Sequence, residues 1–316
     1  MSTHAITHGP DWQLVTPHAE WEPRDSCGYY VHNNELWIIG GWFDPKLPNP
    51  LDVWKSPDGK HWEKVLDEGP WVQTDLPAAF SYDGKMWLMG GRKLPGSDPS
   101  NKVWSSIDGA DWTLVNPSAA WCPRLGPGFT VFRDRMYLFG GVDNFYTVSD
   151  DTIHNDVWSS TDGVDWTLEV ANAPWEKRAY HKVLVMNDKL WVISGGCARP
   201  EPYAYNDVWC SDDGVNWTCV TDSAPWPARI WFGAGVYRDR LWVYSGFAPG
   251  IGNMNDVWYS EDGETWTEMK SDVIWSPRHE PTVYVHDDRL WCVAAHANPL
   301  TNEVWTLYLP PDFFAE

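Results

Sequence analysis

The chain has 316 residues, carries 23 Lys and Arg against 44 Asp and Glu for a formal net charge of −21, and contains 25 Trp. A surface this acidic repels phosphate backbones and anionic headgroups, which excludes nucleic acid and anionic membrane as partners. No apolar run approaches the roughly 18 residues of a membrane helix, and residues 1–12 hold neither a basic n-region nor an apolar core, so the expectation is no membrane span, no signal peptide and a cytoplasmic protein.

In chain order, the first β-type run is Asp11-Trp12-Gln13-Leu14-Val15, which has no partner segment beside it. At Trp21 a unit of four short segments begins. Arg24 follows three residues on, then an apolar run through Val31, then Leu36-Trp37-Ile38-Ile39-Gly40-Gly41, then Val53-Trp54, and finally Trp62 beyond Asp58-Gly59. Two short apolar runs around Asp-Gly predict a hairpin, because Gly accepts the positive φ of a tight turn.

The unit returns five more times. Its opening Trp recurs at Trp71, Trp121, Trp175, Trp226 and Trp275; its second segment at Trp87, Tyr137, Trp191, Trp242 and Trp291; its third at Val103-Trp104, Val157-Trp158, Val208-Trp209, Val257-Trp258 and Val304-Trp305. The last Trp recurs at Trp112, Trp166, Trp217 and Trp266, each after Asp-Gly, and the Val-Trp pairs are spaced by 47 to 54 residues. A period near 50 is that of a propeller blade. The units run over about 21–66, 71–116, 121–170, 175–221, 226–270 and 275–309, in a single domain spanning 1–316.

A four-stranded sheet with two apolar faces cannot bury both alone, so the units stack as blades around an axis. The predicted fold is all-β, a six-bladed propeller of four-stranded antiparallel blades. The sixth unit lacks its fourth strand, and residues 11–16 fit the vacancy, so the N-terminal strand is expected to pair beside Trp305 and close the ring. Of the 25 Trp, 23 fall in these registers and belong to the core; Trp42 and Trp231 do not. The six Cys show no CxxC spacing, and free thiols are expected, although Cys210 and Cys219 share one hairpin.

With its Gly-Gly, Val-Trp and Arg signatures, the chain resembles the kelch-repeat family of six-bladed propellers over residues 11–309. The resemblance implies the fold and leaves function open, because kelch propellers include protein-binding scaffolds, sialate mutarotases, plant specifier proteins and the central domain of copper galactose oxidases. The Ser-x-Asp-Gly-x-x-Trp turns look like a shortened Asp-box. The Tyr/His copper set of the oxidases has no match here. The Glu-xxx-Asp-xxx-His iron motif of the specifier proteins is met only by Asp150 and His154, with Tyr146 in place of the Glu.

Residues that break a repeat are the better functional candidates. Arg24, Arg124, Arg178, Arg229 and Arg278 recur at the start of the innermost strand, with Thr74 in the second unit. Five cations in a ring call for anions, supplied by Asp25, Asp75 and Glu280 or by an anionic ligand. If Asp83-Gly84 is a two-residue turn, Asp75 faces Arg92, and the same register pairs Asp25 with Trp42, Leu125 with Val142, Ala179 with Gly196, Ile230 with Phe247 and His279 with His296. That gives a pocket with a polar and an apolar wall. Trp42, Trp231 and Tyr180 would stack on a ligand.

The pair His279 and His296 carries two readings. With a carboxylate such as Asp25 or Glu280 it could hold a single divalent metal, or either His could move protons with Glu280 as partner. The functional expectation is an axial pocket for a small anionic or polyhydroxylated metabolite, with acid–base turnover of an isomerase or lyase kind; a protein-interaction propeller and a metal-dependent enzyme are the alternatives. Whether the chain is an enzyme is left open by its sequence.

Overall fold

The computed structural model describes residues 4–44, 46–96 and 98–315, and among them there is no helix. Six antiparallel four-stranded sheets form the ring. Blade 1 contains Gly28–His32, Glu35–Ile39, Val53–Ser56 and Glu63–Leu66, in that order from the axis outward. Blades 2 to 5 repeat this order, with innermost strands Asp75–Tyr82, Gly128–Phe132, Lys182–Met186 and Gly233–Tyr237. Blade 6 begins with Thr282–His286, and each innermost strand packs on those of the two neighbouring blades.

The sixth blade is completed from the other end of the chain. Gln13–Thr16 pairs antiparallel with Val304–Leu307, Leu14 lying opposite Trp305, so the predicted closure is present. Trp12 is buried and meets Trp275 edge-on at 4.2 Å between centroids. A further strand was not foreseen: Ala5–His8 runs parallel to Thr267–Lys270 on the outer edge of blade 5. The N-terminus therefore ties two adjacent blades together.

The Ser-x-Asp-Gly turns explain why the blades fit. In blade 3, Ser160 Oγ accepts the Gly163 N–H at 2.8 Å, Asp162 Oδ1 accepts the N–H groups of Val164 and Asp165, and Trp166 Nε1 donates to the Gly163 carbonyl. Gly163 has φ +75°, and a Cβ there would lie 2.5 Å from the ring of Trp87 in blade 2. The same approach is made by Gly59 on Trp291, Gly109 on Trp37 and Gly263 on Trp191. Glycine here both accepts the left-handed turn and lets one blade's hairpin rest on the next blade's indole.

Candidate functional site

All six register pairs read from the sequence form. Asp75 pairs with Arg92 inside blade 2, and Asp25–Trp42, Leu125–Val142, Ala179–Gly196, Ile230–Phe247 and His279–His296 form bridges at the matching level of the other blades. One residue further along the chain lie Ser26, Leu76, Gly126, Tyr180, Trp231 and Glu280, one per blade, and all six have φ between 51° and 61°. This left-handed conformation costs a non-glycine residue about 1–2 kcal/mol, yet five of the six are not glycine. It turns each N–H along the ring: Leu76 donates to the Ser26 carbonyl, Gly126 to Leu76, Tyr180 to Gly126 and Glu280 to Trp231, at 2.6 to 3.1 Å. Closure of the ring, rather than local preference, sustains the strain.

These six residues surround the loop-side end of the axis. With Tyr29, Phe129, His181 and Lys182 they line a cavity of about 70 Å³, where a single water needs roughly 10–15 Å³. Below it the axis widens into a chamber of about 350 Å³ between the innermost strands, and the two share those four lining residues. The expected asymmetry of the walls is present. Leu125, Val142, Ala179, Cys197 and Ile230 form one apolar cluster, against which Leu76, Phe145, Trp231 and Phe247 pack. The facing side is polar: Ser26 and Glu280 line the cavity, while Asp25, Asp75 and Arg92 are buried beside them and do not line it.

That polar wall is short of partners. Ser26 Oγ lies 3.0 Å from Asp25 Oδ1 and 2.5 Å from Glu280 Oε2. One hydroxyl donates only once, so the second contact requires a proton on one of the two carboxyl groups. The electrostatics agree. Burial, reinforced by Asp75, pushes Asp25 well above the ordinary carboxyl range, and burial with Asp25 and Asp75 does the same to Glu280. Asp75 is also raised by burial, although it is paired to Arg92 through Nε. Asp75 Oδ1, Arg92 Nη1, Glu280 Oε1, Trp231 Nε1 and both ring nitrogens of His181 are buried without a protein partner. Burial, then Arg178 and Lys182, pushes His181 down to about 3, so its imidazole is neutral.

The two predicted histidines, His279 and His296, stand beside this cavity and do not line it. The His279 and His296 rings stack at 4.8 Å and 16°, with Trp231 on the far side of His279 and Trp42 on the far side of His296. Phe145 continues the stack from Trp231 and carries the Arg92 guanidinium on its face at 3.8 Å. Asn253 donates from Nδ2 to the His296 carbonyl, which turns its Oδ1 to His279 Nδ1 at 2.6 Å and fixes the proton there. Burial and the neighbouring His296 push His279 down to about 3. Asp25 Oδ2 lies 3.3 Å from His296 Nδ1.

Asp25, His279 and His296 thus come together as the sequence suggested, their donor atoms within 4.8 Å of one another. They do not fit one ion as they stand. Imidazole lone pairs lie in the ring plane, and two rings stacked at 16° aim theirs along nearly parallel planes that a single cation cannot share. The metal expectation for this pair is not supported by its geometry.

The arginine ring requires a correction. Arg24, Arg124, Arg178, Arg229 and Arg278 are all at most 2% exposed and do not line the cavity. Four of them hold a carboxylate of their own blade with two N–H groups: Arg24 on Asp52, Arg124 on Asp156, Arg178 on Asp207 and Arg229 on Asp256. Arg278 reaches Glu303 at 2.7 Å. The guanidiniums of the first four also donate to the carbonyls of Gly40, Gly140, Ser194 and Ser245. Against the burial that opposes it, the guanidinium holds Asp52, Asp156 and Asp256 below the ordinary carboxylate value. These are clamps between the start of the first strand and the start of the third, and their charge is already neutralised within the frame.

A signal for the clamps was present in the sequence. The residue before Val-Trp is Asp52, Asp156, Asp207, Asp256 or Glu303 in the five blades with Arg, and Lys102 in the blade where Thr74 replaces it. Ser26, Leu76, Gly126 and His181 were missed as members of the axial site, and their common signal was their place two or three residues after the arginine position. A second cluster was missed as a grouping: Cys122, Asp143 and His154 meet on the loop side of blade 3.

Comparison with known proteins agrees with this architecture. Among curated proteins no match is found. A solved structure described as "Structure of YjhT" superposes with a TM-score of 0.72 and 16% identity, covering 92% of this chain and 96% of that one, which establishes likeness of fold. The family model of the KLHDC2/KLHL20/DRC7 Kelch-repeats domain matches residues 28–232, which is well over half of the sequence. The chain belongs to that kelch-repeat family.

Proposed function

We propose that the protein binds a small, uncharged polyhydroxylated metabolite at the loop-side end of the axis, with Glu280 exchanging a proton with it. The observation that carries this reading is the Ser26 hydroxyl shared between Asp25 and Glu280, a buried acid pair that must hold a proton, open to a cavity beside Trp231 and Tyr180. Indole and phenol faces suit the apolar face of a sugar-like ring, and carboxyl groups accept and donate to its hydroxyls. A carboxylic acid kept protonated by burial is a general acid at neutral pH. Three carboxyl groups against the single Arg92 also argue against the anionic ligand expected from an arginine ring, since those five charges are spent in the clamps.

The test is calorimetric titration with a panel of neutral sugars, polyols and sugar acids, followed for any ligand by solvent hydrogen exchange into its carbon-bound positions. The reading expects a neutral polyol to bind, Trp231→Ala to abolish binding, and Glu280→Gln to keep binding while losing exchange. Preference for sugar acids, or hits indifferent to both substitutions, would overturn it. A second reading has one observation in its favour. Tyr146, Tyr203 and Ile251 are exposed on loops of the same face, and aromatic residues around a mouth are suited to a protein partner. A stoichiometric partner lost with Tyr146→Ala and Tyr203→Ala would favour it.

A further inference from the structure

The cluster on blade 3 lies outside the axis and has a geometry of its own. Cys122 follows the buried Trp121 just before the first strand of the blade, Asp143 follows the second strand, and His154 opens the third. Two ladder contacts fix the frame: Gly141 pairs with His154, and the Asp143 N–H donates to the Thr152 carbonyl. Cys122 Sγ lies 3.3 Å from Asp143 Oδ1 and 3.4 Å from His154 Nε2, and His154 Nε2 lies 2.6 Å from Asp143 Oδ1.

Three unlike donors therefore converge on one point. A nucleophilic relay has a different layout, with the carboxylate on one imidazole nitrogen and the thiol on the other. Here both address Nε2. With metal–ligand bonds of about 2.0–2.3 Å, the edges of a tetrahedral zinc site are roughly 3.3–3.6 Å. The two sulfur edges already have that length, and the His–Asp edge would open by about 0.7 Å when an ion replaces the shared proton. Asp143 and His154 keep 31% and 21% of their side chains exposed, so an ion can enter and a fourth position faces solvent. Arg124 Nη2 donates to Cys122 Sγ at 2.9 Å, an outer hydrogen bond of the kind that orients a metal-bound thiolate.

We propose that Cys122, Asp143 and His154 bind one divalent cation of zinc type, with thiolate, carboxylate and neutral imidazole as ligands and water in the fourth position. Thiolate and carboxylate together balance the charge of the ion, so the occupied site is neutral. It is distinct from the stacked pair His279 and His296, whose ring planes lie nearly parallel.

The experiment is a titration of the full-length protein with Co²⁺ alone, followed by absorption and then by displacement with Zn²⁺. One equivalent is expected to produce a thiolate-to-cobalt charge-transfer band with tetrahedral ligand-field bands, and Zn²⁺ to remove both. Cys122→Ser should lose the charge-transfer band, the nearly isosteric Asp143→Asn should weaken binding by at least about 10-fold, and His296→Gln should change neither. Circular dichroism of each variant confirms the fold, and the half-buried, nearly isosteric Asp143→Asn keeps the test valid if Cys122→Ser is poorly folded. Absence of a stoichiometric thiolate band, its persistence in Cys122→Ser, or its loss in His296→Gln would each overturn the assignment.

Discussion

Two repeat positions lie two residues apart in every blade and behave in opposite ways. The outer one holds Arg24, Arg124, Arg178, Arg229 and Arg278, nearly invariant, fully buried and paired to a carboxylate. The inner one holds Ser26, Leu76, Gly126, Tyr180, Trp231 and Glu280, six different residues in one left-handed conformation around a cavity, strained in the five that are not glycine. Recurrence with every partner satisfied marks the frame, and variation with strain and unsatisfied polar atoms marks the site. The backbone geometry is repeated while the chemistry is not, which is how a symmetric ring acquires an asymmetric pocket.

The comparison can be broken most severely at the closure. Removing the chain up to Thr16 takes away the outer strand of blade 6, the added strand of blade 5 and Trp12, and is expected to replace one cooperative melting transition by a broad, lower one. A truncated protein that melts like the intact one would contradict the role given to the N-terminus. Next in size is Arg178→Ala, which leaves the mostly buried Asp207 carboxylate beside an empty place and should cost about 3 kcal/mol in urea unfolding. A cost under 1 kcal/mol would return Arg178 to the list of ligand-binding candidates.

Smaller effects sharpen the contrast. Gly163→Ala combines a left-handed φ with a clash on Trp87 and should cost about 2–3 kcal/mol. At the axis the sign reverses. Asp25 and Glu280 have folded values above their unfolded ones, so the stability they contribute is present below the ordinary carboxyl range and is lost as pH rises through the folded values. Wild-type Tm is therefore expected to fall from about pH 4 toward neutrality more steeply than that of Glu280→Gln, which should be the more stable of the two at pH 7. The smallest effect is that of Ser160→Ala, which removes the acceptor of the Gly163 N–H and should cost about 1 kcal/mol.

The fold was legible because its information is local and repeated. Each Asp-Gly fixes a hairpin, and the register set by the Asp83-Gly84 turn gave Asp75 opposite Arg92 and, carried to the sixth repeat, His279 opposite His296. The site was legible only as far as that register reaches. The carboxylate partners of the arginines lie 25 to 32 residues away across a blade, so pairing could be found only by aligning the repeats and noticing Lys102 beside Thr74. The left-handed ring leaves no local trace, because neither Tyr180 nor Trp231 favours positive φ and ring closure imposes it. Cys122, Asp143 and His154 are brought together by strand order alone, with no spacing rule to announce them.

The central claim is that the axis holds a proton its carboxyl groups would ordinarily have lost. Infrared difference spectroscopy of the folded protein against pH, in wild type and in the variant carrying Asp25→Asn with Glu280→Gln, measures this directly. The structure predicts a protonated-carboxyl band that survives to higher pH than the ordinary carboxyl range near 4, and that is absent from the double variant. A wild-type spectrum in which every carboxyl ionises together within the ordinary carboxyl range, as in the double variant, would contradict the account.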